Sequence, residues 1–196
     1  MKRTVLITGA SSGIGASLAK LFAERDFRLI LNARNASRLN EFRQSLGENK
    51  DILTIPADLS NDEGVEKLIR EVEKKAHQVD VLVNNAGICI EEPIAETREE
   101  DWDRVMAVNV KSTFLTTKHA LPLMRADGAQ QPAIVNISSI EGLGANPLHS
   151  VYAASKAAVA AFSHNTALEY GPYGVRCNAV APGWINTPFN EQLLAQ

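Results

Sequence analysis

Ser139, Tyr152 and Lys156 stand as Ser-x12-Tyr-x3-Lys within the run NISSIEGLGANPLHSVYAASK. Tyr152 and Lys156 are four apart, so a helix puts them on one face about a turn apart. A free phenol titrates near ~10, and an adjacent ammonium favours its phenolate. Lowering that value by about three units takes roughly 4 kcal/mol of differential stabilisation. One close, partly desolvated lysine and a helix N-terminus could supply much of it. The spacing therefore predicts a tyrosine able to exchange a proton near neutral pH, with a serine hydroxyl nearby. Taken alone, YxxxK reads better as one face of an ordinary amphipathic helix.

The N-terminus changes that balance. Residues 4–15 read TVLITGASSGIG: an apolar strand from Val5 to Ile7 enters Thr8-Gly9-x3-Gly13-x-Gly15, and a helical pattern follows with Leu18, Leu21 and Phe22. A glycine turn between strand and helix lets main-chain N–H groups approach a pyrophosphate, whose charge the helix N-terminus favours. Without a ligand the same turn is only a tight connection.

These segments have to be brought together by the elements between them. Apolar runs near Val5–Thr8, Arg28–Asn32, Ile52–Ile55, Val81–Asn84, Ile134–Ser138 and Val175–Val180 predict strands. Helical patterns lie near Gly13–Arg25, Ala36–Leu46, Asp62–Ala76, Asp101–Met124 and Tyr152–Tyr170. Strict alternation implies right-handed crossovers and a parallel sheet with helices on both faces. With the glycine turn after the first strand, the prediction is an α/β, doubly wound, Rossmann-type three-layer fold in a single domain, residues 1–196. Its ligand crevice would lie beyond the carboxyl ends of the strands, where these motifs fall. Residues 127–132 read as a surface loop.

Four further stretches follow in order: Asn84-Asn85-Ala86-Gly87, Asn109, Ile134 to Ser139, and Pro182-Gly183 followed by Thr187. On these motifs the chain resembles the short-chain dehydrogenase/reductase family, from Lys2 to about Phe189. The resemblance implies an oxidoreductase that moves hydride between a nicotinamide and a carbonyl or secondary alcohol. Tyr152 would be the general acid in reduction and the base in oxidation. Lys156 would lower its pKa and hold the nicotinamide ribose, and Ser139 would hydrogen-bond the carbonyl oxygen. The 13-residue step to Tyr152 selects Ser139 over Ser138, which strand alternation turns the other way. Asn109 would be a fourth catalytic residue, its main chain holding a water that relays protons to Lys156. Asparagine is unfavourable in so apolar a helical run, and a satisfied core polar group is the other reading.

The resemblance also implies the dinucleotide contacts. Gly9, Ser11, Ser12, Gly13, Ile14 and Gly15 would hold the phosphates; Asp58 and Leu59 would meet the adenine. Asp58 could equally cap the next helix. Asn85, Ala86 and Gly87 would pass the adenine ribose, with Asn85 bracing neighbouring strands. Pro182, Gly183, Ile185 and Thr187 would meet the nicotinamide. About 20 residues beyond the glycine loop, where a carboxylate would hold the ribose 2′-OH of NAD, the chain reads Asn32-Ala33-Arg34-Asn35, with no acid before Glu41. A guanidinium suits a 2′-phosphate, so NADP(H) is expected over NAD(H). A solvated surface arginine is the plain alternative, and Ser11 and Ser12 stand where some NADP-preferring relatives carry a base.

Composition bounds the rest. The 196 residues are 45% hydrophobic and 22% charged, enough for one sizeable core. A net charge of −3 gives no reason to expect nucleic acid. No run approaches membrane-spanning length, and the apolar stretch after MKR is too short for a signal peptide. Cys89 and Cys177 lack metal-like or CxxC spacing, so they read as free thiols in a reducing cytoplasm. His149 and His164 likewise lack ligand spacing, and no metal is expected.

Ile88, Ile90, Glu141, Ala145, Leu148 and Trp184 are expected to wall a mostly apolar substrate pocket, which names no substrate. The alanines of the helix from Tyr152 (Ala153, Ala154, Ala157, Ala158, Ala160 and Ala161) leave room for a second helix, and the resemblance implies a homodimer or homotetramer built there. Family members continue past the PG…T segment with a lid over the substrate and a last strand. Here the substrate loop, about 184–196, has only begun. The resemblance thus implies a form that binds cofactor but turns over poorly. Epimerisation or dehydration and a non-catalytic dinucleotide-binding or regulatory protein are the competing functions; the intact Ser139, Tyr152, Lys156 and Asn109 argue against the last.

Overall fold

The computed structural model describes residues 2–47, 51–125 and 131–189. Six strands form one parallel sheet: β1 (Thr4–Ile7), β2 (Arg28–Ala33), β3 (Ile52–Pro56), β4 (Val81–Asn84), β5 (Ala133–Ile137) and β6 (Arg176–Val180). Their order is β3-β2-β1-β4-β5-β6. The order reverses between β1 and β4, so the crevice opens at their carboxyl ends. This is the Rossmann-type architecture that the alternating pattern predicts.

The helices are α1 (Gly13–Glu24), α2 (Ala36–Ser45), α3 (Asp62–Ala76), α4 (Glu99–Met106), α5 (Ser112–Met124) and α6 (Ser150–Tyr170). Because successive strand side chains alternate, β1 feeds two cores. Leu6 joins Ile30, Leu82 and Ile134 under α3 and α5 on one face. Val5 and Ile7 join Leu29, Leu31, Val81 and Val83 under α1 and α2 on the other. Each fully buried aliphatic side chain contributes roughly 1.5–3 kcal/mol. The central strands are therefore rigid supports for the loops at their ends.

Strand ends differ from the sequence reading by about one residue. Thr8 and Ser138 fall just past β1 and β5, although Ser138 N–H still reaches the Val180 carbonyl at 2.8 Å. The larger difference is in the predicted 101–124 helix. It begins at Glu99 and is broken by a π turn, Ala107–Lys111, between α4 and α5. A π turn inserts one residue into the helical repeat, which swings Asn109 out of register with its helical neighbours. The polar side chain that is unfavourable in a regular helix thereby finds partners across the molecule.

Candidate active site

One cleft of about 480 Å³ runs across the carboxyl ends of the strands. Its first end is made chiefly of main chain. Gly9 sits at φ +63 and Gly13 at φ +54, in the left-handed region that glycine enters at little cost. A Cβ on Gly9 would lie 2.9 Å from Ala86 Cα, and one on Gly15 only 2.3 Å from the Gly9 carbonyl oxygen. Gly15 does not line the cleft; its missing side chain lets α1 pack against the loop. Ser12 is the N-cap of α1 but makes no side-chain cap bond. The first-turn N–H groups are thus left to face an anion.

The glycine loop is braced from β4. Asn85 Nδ2 donates to the carbonyls of Thr8 and Gly9, both at 3.0 Å. Thr8 Oγ1 accepts from the N–H groups of Asn85 and Ala86 at 3.0 and 3.1 Å. Asn84 ties sheet to helix instead, donating to Asn136 Oδ1 at 2.8 Å and Thr117 Oγ1 at 3.0 Å. Ser11, Ile14, Ala86, Leu59, Pro182, Gly183 and Ile185 line the cleft as expected positions. Thr187 folds over the loop, its Cβ 3.4 Å from where a Gly13 side chain would begin.

Beyond β2, Arg34 lines the cleft, and so does Arg38 in the first turn of α2. The sequence points to one basic contact, and the fold adds Arg38 to the same cleft. Asn35 Oδ1 caps that helix, accepting from Arg38 N at 3.0 Å. Asp58 lines the same end but does not cap α3. Its Oδ1 accepts from Ser60 N at 3.0 Å, while Asn61 takes the cap by accepting from Gly64 N at 2.9 Å. Partial burial raises the Asp58 pKa; the Ser60 bonds, Arg34 and Arg104 outweigh it and hold the carboxyl below its usual range.

The other end is built from buried side chains. Ser139 caps a short 3-10 turn, Ile140–Gly142, its Oγ accepting from Glu141 N at 3.1 Å. The Ser139 side chain also hydrogen-bonds Tyr152, the third residue of α6. Ser138 turns elsewhere and donates to the Lys156 carbonyl at 2.7 Å. Lys156 is only 4% exposed. Its Nζ donates to the Ile137 carbonyl at 2.8 Å and lies 5.6 Å from the Tyr152 ring centroid.

The predicted lowering of Tyr152 does not hold. Burial above all pushes Tyr152 up to about 12; the bond with Ser139 is the next-largest influence and lowers it, and the neighbouring Cys89 and Glu141 raise it further. Burial pushes Lys156 down to about 8. The reason is desolvation: the ammonium is turned to a main-chain carbonyl and cannot offset the loss of water around the phenol.

Asn109 does not line the cleft and is 1% exposed. Its amide clamps Ile88, accepting from the N–H at 2.8 Å and donating to the carbonyl at 2.9 Å, and also donates to Ser155 Oγ at 2.9 Å. Gly87 lies between this clamp and the lysine. A Cβ there would be 3.3 Å from both Asn109 Oδ1 and Lys156 Nζ. Its bareness therefore leaves room for the lysine end, and Gly87 also lines the cleft.

Of the expected substrate wall, Ile88, Glu141 and Trp184 line the cleft, whereas Ile90, Ala145 and Leu148 do not. Cys89, Glu91 and His149 line it instead, so this wall is more polar than the sequence suggests. No local spacing marks them, since the fold joins residues 60 positions apart (149 − 89). Glu141 is buried, with Oε1 held by Asn146 Nδ2 at 2.5 Å.

A family profile described as "short chain dehydrogenase" matches residues 3–196. An uncharacterized oxidoreductase of Thermotoga maritima is 40% identical over 197 residues, covering 99% of this chain and 75% of its own. The 3-oxoacyl-(acyl-carrier-protein) reductase FabG of the same organism is 36% identical over 194 residues, covering 97% of this chain and 77% of its own. Among solved structures, the Pseudomonas aeruginosa RhlG/NADP active-site complex superposes with a TM-score of 0.93 at 30% identity, over 99% of this chain and 77% of that one.

Proposed function

The chain belongs to the short-chain dehydrogenase family, and from that premise we propose that it is an NADP(H)-dependent oxidoreductase acting on a carbonyl or secondary alcohol. The observation that carries the reading is one continuous cleft. It has a bare-backbone glycine cradle at one end and a hydrogen-bonded Ser139–Tyr152 pair above a buried lysine at the other. The cradle fits a pyrophosphate, since Gly9 and Gly13 line it with bare main chain and a Cβ on Gly9 or Gly15 would push the loop out of place. A nicotinamide bound beyond the cradle would supply or take up hydride.

The chain's own groups handle the oxygen and its proton. Ser139 donates to the carbonyl oxygen as negative charge gathers there. Tyr152 gives that oxygen its proton. Pushed up to about 12 by burial, Tyr152 is proton-loaded at neutral pH and prepared for reduction. Lys156 is an ammonium below about pH 8; it orients the tyrosine and offers a donor to the ribose. Asn109 is a positioning residue, holding Ile88 and the α6 serine beside that lysine.

Arg34 and Arg38 favour NADP(H): two guanidinium groups border the cleft where a 2′-phosphate would sit. The NADP complex of RhlG is consistent with that choice. The substrate class follows from Ser139 and Tyr152, which are suited to a carbonyl oxygen, and FabG is named for reducing one. Among the described residues no helix is long and apolar enough to cross a membrane, and both cysteines are free thiols. These features support a cytoplasmic setting. The exposed Ala154, Ala157, Ala161 and Leu168 of α6, with Phe114 of α5, support a two-fold dimer through these helices.

The test is NADPH consumption against a panel of ketones, with NADH in parallel. Steady turnover with a preference for NADPH is expected. Cofactor binding without turnover on any carbonyl would leave a dinucleotide-binding protein, and equal dissociation constants for both cofactors would remove the NADP assignment.

A further inference from the structure

The mouth of the cleft carries a cluster that hydride transfer does not use. A sulfur of Cys89, a carboxylate oxygen of Glu91 and an imidazole nitrogen of His149 all lie within 4.8 Å of one another. His149 is 8% exposed. Its Nδ1 lies 2.9 Å from the Pro147 carbonyl, which only accepts, so Nδ1 carries the proton. In the neutral ring Nε2 then presents a lone pair, and it faces Glu91 Oε1 at 3.6 Å. Two acceptors facing each other at that range call for a positive charge between them, or for a proton on the ring.

The surrounding chain holds this arrangement in place. Leu148, directly before His149, sits at φ +68, in the left-handed region that costs a side-chain-bearing residue roughly 1–2 kcal/mol. Such strain is kept where the neighbourhood over-determines it, and functional sites collect it. Glu92 N donates to the Leu148 carbonyl at 3.1 Å, latching the Cys89–Glu92 segment to the loop that bears His149. The ring nitrogen away from the cluster is fixed by a main-chain carbonyl, as it is in metal-bound imidazoles.

We propose that Cys89, Glu91 and His149 form a three-ligand site for a borderline divalent cation of the Zn²⁺ type, at the substrate end of the cleft. Thiolate and imidazole select such an ion over Mg²⁺ or Ca²⁺, which take oxygen shells. Bonds of about 2.0–2.1 Å in a tetrahedron leave ligands roughly 3.3 Å apart, so the 3.6 Å His149–Glu91 pair is near coordination geometry as it stands. Coordination requires the thiolate, so the Cys89 proton leaves to solvent. Burial first, then the Glu91 and Glu141 carboxylates, push the Cys89 thiol up to about 12 against a smaller lowering by Lys156, so the cation has to displace a firmly held proton. Three protein ligands leave a fourth position open toward the cleft. The His149 ring is 6.3 Å from that of Tyr152 and 6.1 Å from that of Trp184, so the ion would stand where a carbonyl substrate approaches.

The experiment reads metal directly and needs no turnover, so its outcome is separate from that of the oxidoreductase reading. Metal-stripped protein is titrated with Zn²⁺ by calorimetry, and with Co²⁺ followed by absorption. One equivalent of Zn²⁺ should bind with a micromolar or tighter Kd, and Co²⁺ should show a thiolate-to-cobalt charge-transfer band. Cys89→Ser should abolish the band and weaken Zn²⁺ by at least about 10-fold, the scale on which even outer-shell changes act. Glu91→Gln should weaken Zn²⁺ similarly while keeping the band, which guards against misfolding of the serine variant. Cys177→Ser should change neither. No saturable uptake by the parent, a cobalt spectrum without thiolate, or unchanged affinity in Glu91→Gln would each overturn the site and leave a His149–Glu91 ion pair only.

Discussion

The two ends of the cleft are built on opposite principles. At the glycine end the surface offered to a ligand is main chain, and what matters is the absence of side-chain atoms at Gly9 and Gly15. At the Tyr152 end the surface is side chains taken out of water, and what matters is which hydroxyl and ammonium donors they present. The first end fails when a carbon is added; the second fails when a donor is removed. Substitutions of each kind should therefore separate binding from chemistry.

The sharpest separation is expected from Tyr152→Phe. It deletes one hydroxyl at the buried end and leaves the cradle untouched. Turnover should fall by about 10²–10⁴-fold, the usual contribution of general acid catalysis, with NADPH affinity nearly unchanged. Steady-state rates beside a fluorescence titration of NADPH measure both. A parallel loss of cofactor affinity would mean that the two ends are not independent.

Gly15→Ala tests the opposite failure. Its Cβ would meet the Gly9 carbonyl oxygen at 2.3 Å, a main-chain atom that cannot rotate away. Overpacking of this kind costs typically about 1–3 kcal/mol, and NADPH binding should weaken with it. Gly171→Ala, where nothing lies within 4 Å, is the matched control and should be close to neutral in urea melts. Equal stability of the two variants would show that the loop can shift and that the cradle is not rigid.

Arg34→Asp is expected to act on one end alone. A charged hydrogen bond to phosphate is worth about 1.5–3 kcal/mol, or roughly 10- to 150-fold. NADPH affinity should drop within that range while NADH affinity holds or improves. Arg38→Ala should give a smaller loss in the same direction. If neither variant alters the ratio of the two dissociation constants, both arginines are merely solvated surface charges.

The glycine end was almost fully legible in the sequence, because main-chain requirements leave a direct mark: a glycine must stand where a side chain cannot. The parallel sheet was legible too, from the strict alternation of strand-like and helical runs. Arg38 carries no such mark: an arginine in a helix's first turn reads as a solvated charge until the fold sets the cleft against it. The buried end was legible in residue identity but not in state. Ser139, Tyr152 and Lys156 could be picked out by spacing, yet spacing carries no information on desolvation, and so the Tyr152 pKa was expected to move the wrong way. Nor does it reveal a π turn, since one extra residue in a helical turn barely disturbs the apolar period around Asn109. Cys89, Glu91 and His149 lie on separate loops, and only the fold brings them together.

The smallest expected effect is a pH dependence that should tell the ends apart without cofactor or substrate. Burial lowers the Lys156 pKa from its ordinary 10.5 to about 8. Below about pH 8 the folded protein holds a buried ammonium at a cost the unfolded chain does not bear. Between pH 8 and about 10 the folded state has released that proton while the unfolded state keeps it, so the Lys156 contribution to stability rises with pH. Three groups that burial pushes up act in the opposite sense: Cys89 and Cys177 from about pH 9 and Tyr152 from about pH 10, where the unfolded groups ionise while the folded ones hold their protons. At the glycine end Asp58 acts in the acid range: its lowered pKa contributes stability at neutral pH that is lost as pH falls through the folded value. From pH 7.5 to 9.5 the parent should gain on the order of 2 kcal/mol relative to Lys156→Met, read as the difference in urea midpoints. A constant difference across that window would mean that Nζ keeps its water, and the tyrosine end would then be no drier than the glycine end.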